Sequence, residues 1–331
     1  VSWAHSFKWK PPEFNTIDFL VSVKKDNSNQ DEIHHIFQDG SNLQQTTQMS
    51  KYKTLTLRCG YDQTKHGYLN PCEDIYQDNM NESKDKDDES NYKPVPFVPT
   101  DPYDADAHLC NILLKNGVMM TEEGEPFDEN MIVEFQYVLD NKKGWNWVPL
   151  RVRYDKTNEL QNGMKNYGNA YHVANNNWRS IHYPITTHML RTGQDFPTYY
   201  QNADIYYNRK TGHSYTRGLR DFHNLYVKNN LIGSVLNPGN TLIDYSVGKA
   251  GDMSKWMKNK PSFVFGIDIS RDNIHNKIDG ACARYINKYK ESNKIFDALF
   301  VVGDSTLNIK NGSAFTNEKD KNVSNAVFGI S

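Results

Sequence analysis

The stretch Leu242-Ile243-Asp244-Tyr245-Ser246-Val247-Gly248-Lys249-Ala250-Gly251-Asp252-Met253-Ser254-Lys255-Trp256 decides the fold. An apolar run ends in an acid, a short glycine loop follows, and a helix starts at Asp252. A second apolar run, Phe263-Val264-Phe265-Gly266-Ile267, ends in Asp268, twenty-four positions after Asp244. Strand, glycine turn, helix, strand and terminal acid make a nucleotide-binding βαβ unit. The acid closing the second strand is placed to accept from a ribose hydroxyl.

The chemistry of the turn narrows the ligand. A pyrophosphate needs bare amides at a helix N-terminus, yet this turn carries Asp244 and Asp252. Carboxylates repel a diphosphate and attract the ammonium and sulfonium of S-adenosylmethionine. A nicotinamide oxidoreductase is disfavoured because GxGxxG is absent. Gly248-Lys249 is not a phosphate loop, since Ala250 stands where Ser or Thr is required. A generic nucleotide-binding half with another cofactor, or none, is the plain alternative. Lys228 before the turn, Asp268 after it and Asp304 on the next strand weigh against it.

Bulk properties set the frame. The chain has 331 residues, enough for two or three domains, and a net charge of −2, which excludes a strongly basic nucleic-acid coat but not a local basic groove. Cys59, Cys72, Cys110 and Cys282 form no CxxC pair, so they are expected to be reduced, buried thiols rather than a zinc site or a disulfide scaffold. No apolar run approaches the ~20 residues of a membrane span, so no membrane partner is expected. No signal peptide is expected from the opening residues. His34, His35, His172, His182 and His188 lack mutual metal spacing and are read as surface or satisfied core histidines.

The expected fold is multidomain, α+β and α/β: an OB-type β-barrel, then part of a Rossmann-like S-adenosylmethionine-dependent methyltransferase domain. Residues 1–19 are a basic-aromatic opening. Residues 20–160 carry short alternating strands with long loops, as small barrels do, interrupted near 79–91 by an Asn/Ser/Asp/Glu/Lys-only stretch expected to be a disordered insertion. Residues 161–216 read as a linker or helical extension of the methyltransferase, and 217–331 as its N-terminal half. Trp178 and Tyr183-Pro184-Ile185-Thr186 are expected to pack between the two parts. Tyr199-Tyr200 and Tyr206-Tyr207 read as half-buried surface, with base stacking as the alternative. The absent initiator Met, and an end only three strands into a fold of six or seven, give the expectation of a piece of a longer polypeptide.

Two basic clusters stand outside the opening motif. Lys8-Trp9-Lys10 puts two lysines two apart, on one face if the segment is a strand. Arg153-Tyr154-Asp155-Lys156 offers a second cationic face. Alone, each reads as a solvated basic segment. In sequence, KWKP, then NTIDF, then a barrel, then WVPLRVRYDK resembles the C-terminal part of mRNA capping guanylyltransferases of eukaryotes and large DNA viruses. The resemblance implies that Lys8, Lys10, Arg153, Asp155 and Lys156 bind the triphosphate of GTP, with Mg2+ as cofactor. That family's nucleophilic lysine lies in a KxDG motif before the KWKP element, and none precedes Lys8 in this sequence, the one match being Lys277-Ile278-Asp279-Gly280 far downstream, so no catalytic residue is assigned and no covalent guanylate adduct is expected.

Arg220-Asp221-Phe222-His223-Asn224-Leu225-Tyr226-Val227-Lys228, then Leu231-Ile232, then the opening motif, resembles the mRNA cap guanine-N7 methyltransferases. The resemblance implies that Lys228 meets the methionyl carboxylate and that Asn224 borders the cap. It places Asp244 and Gly248 under the methionyl ammonium, with Asp252 closing the turn. Asp268 would hold the ribose, Ile269 would pack on the adenine, and Asp304 and Ser305 would read its amino edge. Ser246 and Ala250 depart from the family's glycines and His223 from an asparagine, but no charge is lost. The family's FxxHY element, which lines the guanine pocket, is not in the chain.

The function so implied is part of a multifunctional viral capping enzyme that transfers methyl from S-adenosylmethionine to the 5′ cap guanine of mRNA. Guanine N7 is unprotonated at neutral pH, so positioning and field suffice without a general base. The implied partners are the mRNA 5′ end and a methyltransferase-stimulating subunit or viral RNA polymerase. The implied location is the host cytoplasm, with packaging in the virion. The alternative function is a non-catalytic RNA-binding or allosteric scaffold with a degenerate methyltransferase-like domain.

Overall fold

The computed structural model describes residues 9–11, 14–37, 49–80, 92–195, 215–292 and 295–330. The chain divides into two units, residues 1–62 with 90–198, and residues 63–89 with 199–331. Lys8 and the two tyrosine pairs at 199–200 and 206–207 lie outside the described residues, as do residues 81–91 of the Asn/Asp/Lys stretch.

The first unit is a nine-stranded antiparallel sheet. Its strands are β1 (Thr16–Val23), β2 (Ile33–Phe37), β3 (Met49–Asp62), β4 (Tyr92–Pro96), β5 (Leu109–Lys115), β6 (Val118–Met120), β7 (Pro126–Phe127), β8 (Ile132–Tyr137) and β9 (Trp147–Val152). Alternation along β3 buries Leu55, Leu57, Cys59 and Tyr61 on one face. The main path runs β7-β6-β5-β3-β1-β8-β9, with β2 and β4 also paired to β3. Its two ends meet, because the amides of Glu122 and Glu123 donate to the carbonyls of Pro149 (2.8 Å) and Leu150 (3.1 Å). The sheet thus curls into a nearly closed barrel, which leaves few unpaired edge groups.

Three helices follow β9: α3 (Tyr154–Gln161), α4 (Tyr171–His182) and α5 (Thr187–Thr192), numbered after α1 (Gln63–His66) and α2 (Pro71–Tyr76) of the second unit. Tyr171, Ala174, Trp178 and Ile181 recur at three- and four-residue spacing, so α4 has one apolar stripe, and it lies against β1 and β3. Trp178 packs on Tyr137 (4.7 Å between ring centres), Phe97 and Trp147, and its indole N–H donates to the Pro102 carbonyl at 2.9 Å. Trp178 is therefore consumed inside the first unit rather than between two parts. Residues 161–195, expected as an extension of the methyltransferase, also group with the barrel, because that stripe has its partner there. His182 behaves as a satisfied core histidine, its Nδ1 lying 2.9 Å from the Trp178 carbonyl oxygen.

The second unit holds three parallel strands in sequence order, β10 (Thr241–Asp244), β11 (Phe263–Asp268) and β12 (Asp297–Val302). Central β11 is buried on both faces, as a near-continuous apolar run requires. Val264 and Phe300 face a core with Trp256, Ile274, Tyr285 and Phe296. Phe265, Ile267 and Val301 face another with Ile309, Ala314 and Phe315. The helices are α6 (Arg217–Asp221), a π-helical turn (Phe222–Val227), α7 (Lys228–Val235), α8 (Met253–Asn259), α9 (Arg271–His275), α10 (Ala281–Ser292) and α11 (Glu318–Phe328). No described helix is long and apolar enough to cross a membrane.

The insertion between β3 and β4 belongs to this second unit. It forms α1 (Gln63–His66) and α2 (Pro71–Tyr76), and α2 sets Cys72 and Ile75 into the core beside Ile274 and Phe300, joined there by Met80. Cys72 and Cys282 form a disulfide, with Cα atoms 5.1 Å apart. This corrects the expectation of four reduced thiols, which holds for buried Cys59 and Cys110. The partners stand 210 residues apart, so no spacing rule could pair them.

Candidate functional site

Parallel pairing brings the carboxyl ends of the three strands together; two end at an acid, and the third, expected to carry Asp304, stops at Val302 two residues before it. β10 delivers Asp244 and β11 delivers Asp268. The Gly303 amide donates to the Asp268 carbonyl at 3.0 Å, which sets Asp304 beside them. Ligands of open α/β sheets bind at this edge.

The turn after β10 is tied to the end of β11. The Val247 amide donates to the Ile267 carbonyl (3.0 Å), and the Gly248 amide to Asp268 Oδ2 (2.8 Å). Gly248 sits at φ +56°, a left-handed conformation that favours glycine. Ala250 also sits in that region, at φ +52° and buried, which is the physical reason for a glycine there in similar turns. Asp268 Oδ1 accepts from the Ser270 amide (2.9 Å) and Asn273 Nδ2 (3.0 Å). Three of the roughly four acceptor positions of this carboxylate are thus filled by the protein's own donors.

Asp252 opens α8, yet its side chain does not cap the helix. It binds Lys228 Nζ at 2.8 Å and Lys255 Nζ at 2.6 Å. Burial pushes its carboxyl up, but the bonds from these two ammonium groups outweigh that and hold it below the usual 3.8. Asp244 differs. Burial pushes its carboxyl up, and the neighbouring charges of Asp252 and Asp268 add to it. The Ser246 amide, 3.1 Å from Oδ1, and the Lys228 charge pull the other way without cancelling the rise. Burial and like charge thus leave the Asp244 carboxylate under-compensated by the protein's own groups.

The two aspartates have opposite effects on stability. The contribution of Asp252 is present in full above pH 3.8 and is lost as pH falls through its lower folded value. Ionised Asp244 costs stability, and the cost grows as pH rises from 3.8 through its raised folded value. Asp244→Asn should therefore raise the thermal midpoint of the ligand-free protein at neutral pH. It should leave the midpoint unchanged well below pH 3.8, as scanning calorimetry across pH would show.

The remaining expected residues surround this centre. Asn224 lies half-buried in the π-helical turn, four positions before Lys228. Ile269 is 72% exposed directly after Asp268. Asp304 Oδ1 accepts from the Thr306 amide and hydroxyl, which holds its carboxyl low, and half-buried Ser305 follows. Sequence reasoning missed Asn273, Lys255, and the clamp in which Lys249 binds Asp272 (2.9 Å) and Asp279 (2.8 Å). The five-residue step from Asp268 to Asn273 across the N-cap Ser270 was the available signal.

The cationic cluster of the first unit is built differently from expectation. Residues 9–11 form no strand, and Pro11 removes a ladder donor. β9 stops at Val152, so Arg153 is the N-cap of α3, and Lys156 shares its face through helical, not strand, spacing. Both cations bind the buried carboxylate of Asp18 on β1, Lys156 at 2.7 Å, and Arg153 also binds Asp155 at 3.1 Å. Exposed Lys10 lines a cavity of about 830 Å3 with Trp9, Phe14, Glu134 and Arg151.

Residues 194–328 match the family model described as the mRNA (guanine-N(7))-methyltransferase domain. Over 317 residues the chain is 28% identical to a protein of Acanthamoeba polyphaga mimivirus named as a probable mRNA-capping enzyme. The alignment covers 90% of this chain and 24% of that protein, so the chain spans about a quarter of the relative it matches. The strand-end acids and the glycine turn fall inside the matched domain. Residues 194–328 are thus similar to an mRNA (guanine-N(7))-methyltransferase domain, in a chain similar to a probable viral mRNA-capping enzyme.

Proposed function

We propose that the second unit binds S-adenosylmethionine at the strand ends and serves methylation of the mRNA cap guanine at N7. The observation that carries this reading is the charge layout. Asp244, Asp252 and Asp268 surround one glycine turn, and Lys228 stands at its rim. That donor set suits a ligand with a cationic centre, a carboxylate and a ribose, and repels a diphosphate. Bound S-adenosylmethionine supplies an electrophilic methyl on a sulfonium. Asp244 offers the ammonium a partner, and Asp268 keeps one acceptor position for a ribose hydroxyl. Lys228, held by Asp252, is placed to meet the methionyl carboxylate. Asp304 and Ser305 would read the adenine amino edge with Ile269 against the ring, and Asn224 would border the cap. No proton transfer is required of these residues, consistent with carboxylates that bind rather than relay.

The barrel is read as the OB domain of a capping guanylyltransferase. Lys10, Arg153, Asp155 and Lys156, together with Lys8, would face the GTP triphosphate with Mg2+. What supports this is the convergence of Arg153 and Lys156 at one point of β1. The mRNA 5′ end is the partner this reading requires.

Calorimetric titration of the full chain with S-adenosylmethionine and, separately, with NAD tests the proposal. Micromolar binding of the former alone is expected. Binding of NAD, or of neither ligand by a folded sample, would overturn it.

A further inference from the structure

The insertion that leaves the barrel after β3 reaches the segment behind the cofactor turn. The Tyr68 amide donates to the Lys277 carbonyl at 2.8 Å. Gly67, at φ +79°, passes so close that an added Cβ would lie 2.1 Å from that same oxygen. Cys72 is bonded to Cys282 at the start of α10, and its sulfur lies 3.7 Å from the Ile274 carbonyl oxygen. The Tyr76 hydroxyl donates to the Phe300 carbonyl on β12, and the Tyr68 hydroxyl to Asn287 Oδ1 at 2.8 Å. Residues 274–287 are thus held at four points by the insertion.

That segment in turn holds the cofactor turn. Asp272 and Asp279 both bind Lys249, whose side chain is only 12% exposed. Asn276 fixes the pair, donating to Asp272 Oδ1 (2.7 Å) while its Oδ1 accepts from the Asp279 amide (3.1 Å). Asn273 donates to Asp268, and Asp268 accepts from Gly248. Contact therefore runs unbroken from Gly67, Tyr68 and Cys72, through residues 272–282, to Lys249, Gly248 and Asp268. A rigid packed network of this kind carries small displacements across it.

We infer that the insertion, residues 63–80, positions the cofactor-binding turn, with Gly67, Tyr68 and Cys72 as positioning residues for the methyltransferase site. The inference rests on the cofactor reading above for its ligand, but the contact chain stands without it. A methyltransferase sequence cut at residue 199 would lack this brace. Cofactor affinity would then depend on a piece of chain lying before β4 in sequence.

The test uses the full chain and four variants. Gly67→Ala forces the 277 loop to shift. Cys72→Ser releases Cys282 without altering that loop, and serves if Gly67→Ala does not fold. Lys249→Met cuts one of the two links to the turn, the other being Asn273 to Asp268. Phe296→Leu damages the same core at the opposite, amino-terminal end of β12. Gly67→Ala and Cys72→Ser should each weaken S-adenosylmethionine binding about tenfold below their melting range. Either one combined with Lys249→Met should weaken binding by less than the two separate effects together, because part of each acts through the Lys249 link. Phe296→Leu should lower the thermal midpoint and leave affinity unchanged. Hydrogen exchange of a peptide spanning Ser246–Asp252 should quicken in Gly67→Ala and Cys72→Ser but not in Phe296→Leu. Unchanged exchange and affinity in the brace variants would overturn the inference, as would full additivity with Lys249→Met. If the unmodified chain binds no S-adenosylmethionine, the cofactor reading fails, and the exchange measurement alone decides the brace.

Discussion

Asp268→Ala is expected to weaken S-adenosylmethionine binding about a hundredfold, the largest functional effect of any single change in the site. The carboxylate does two things at once. On the proposed reading it keeps one acceptor position for the ribose, and it accepts from the Gly248 amide, the Ser270 amide and Asn273 Nδ2. A hydrogen bond to a charged group is worth about 1.5–3 kcal/mol, so loss of the ribose bond alone accounts for about tenfold. The second factor of ten comes from the turn. Without Asp268 the Gly248 amide has no acceptor, and the left-handed geometry at Gly248 and Ala250 loses its anchor. Asp268→Asn keeps one oxygen and should fall between the two. Its amide nitrogen must face at least one of the three donors, so it cannot restore the full set. Calorimetry on each variant separates the two contributions, since Asn273→Ala removes one internal bond and leaves the ribose position intact. Affinity retained in Asp268→Ala would sink the ribose assignment.

The turn was legible in the sequence because its chemistry is local. Asp244, Gly248, Asp252 and Asp268 lie within twenty-five residues, and parallel pairing follows from strand, helix and strand alone. The direction of Lys228 was less legible. It is held by Asp252 across twenty-four residues, so it stands at the turn as one member of an ion pair. Tertiary contacts were invisible. No periodicity announces that residues 63–80, embedded in a run of barrel strands, pack beside α10, or that Cys72 meets Cys282. The cationic cluster was found by type and misplaced by geometry. The shared face of Arg153 and Lys156 was read without the element that makes it, because the residues after Val152 turn into a helix. Asp18 was passed over, since a single acid in an apolar strand gives no sign of the two cations that reach it from 135 and 138 residues away.

Asp18→Ala is expected to destabilise the first unit by about 3 kcal/mol, and its functional consequence decides what the cluster is for. The Asp18 side chain is 8% exposed and is shared by Arg153 and Lys156, which keep 25% and 22% exposure. Removing one side of a buried ion pair costs about 3–5 kcal/mol. The lower end applies here, because both cations retain some access to water and Arg153 keeps Asp155. Asp18→Asn preserves the shape and a carbonyl acceptor, so it should cost less and stay folded. In that variant two cations stand one helical turn apart with a single carboxylate between them, a stronger anion site than the native cluster. If Arg153 and Lys156 grip a triphosphate, they must leave Asp18 to do so, and Asp18→Asn should bind GTP several-fold more tightly than the unmodified chain at low salt, less so as salt screens the charges. If the cluster only staples α3 to β1, Asp18→Asn should lower the thermal midpoint and leave GTP binding where it was. The two outcomes are read from one titration, and the second would remove Arg153 and Lys156 from the nucleotide site while leaving the methyltransferase reading untouched.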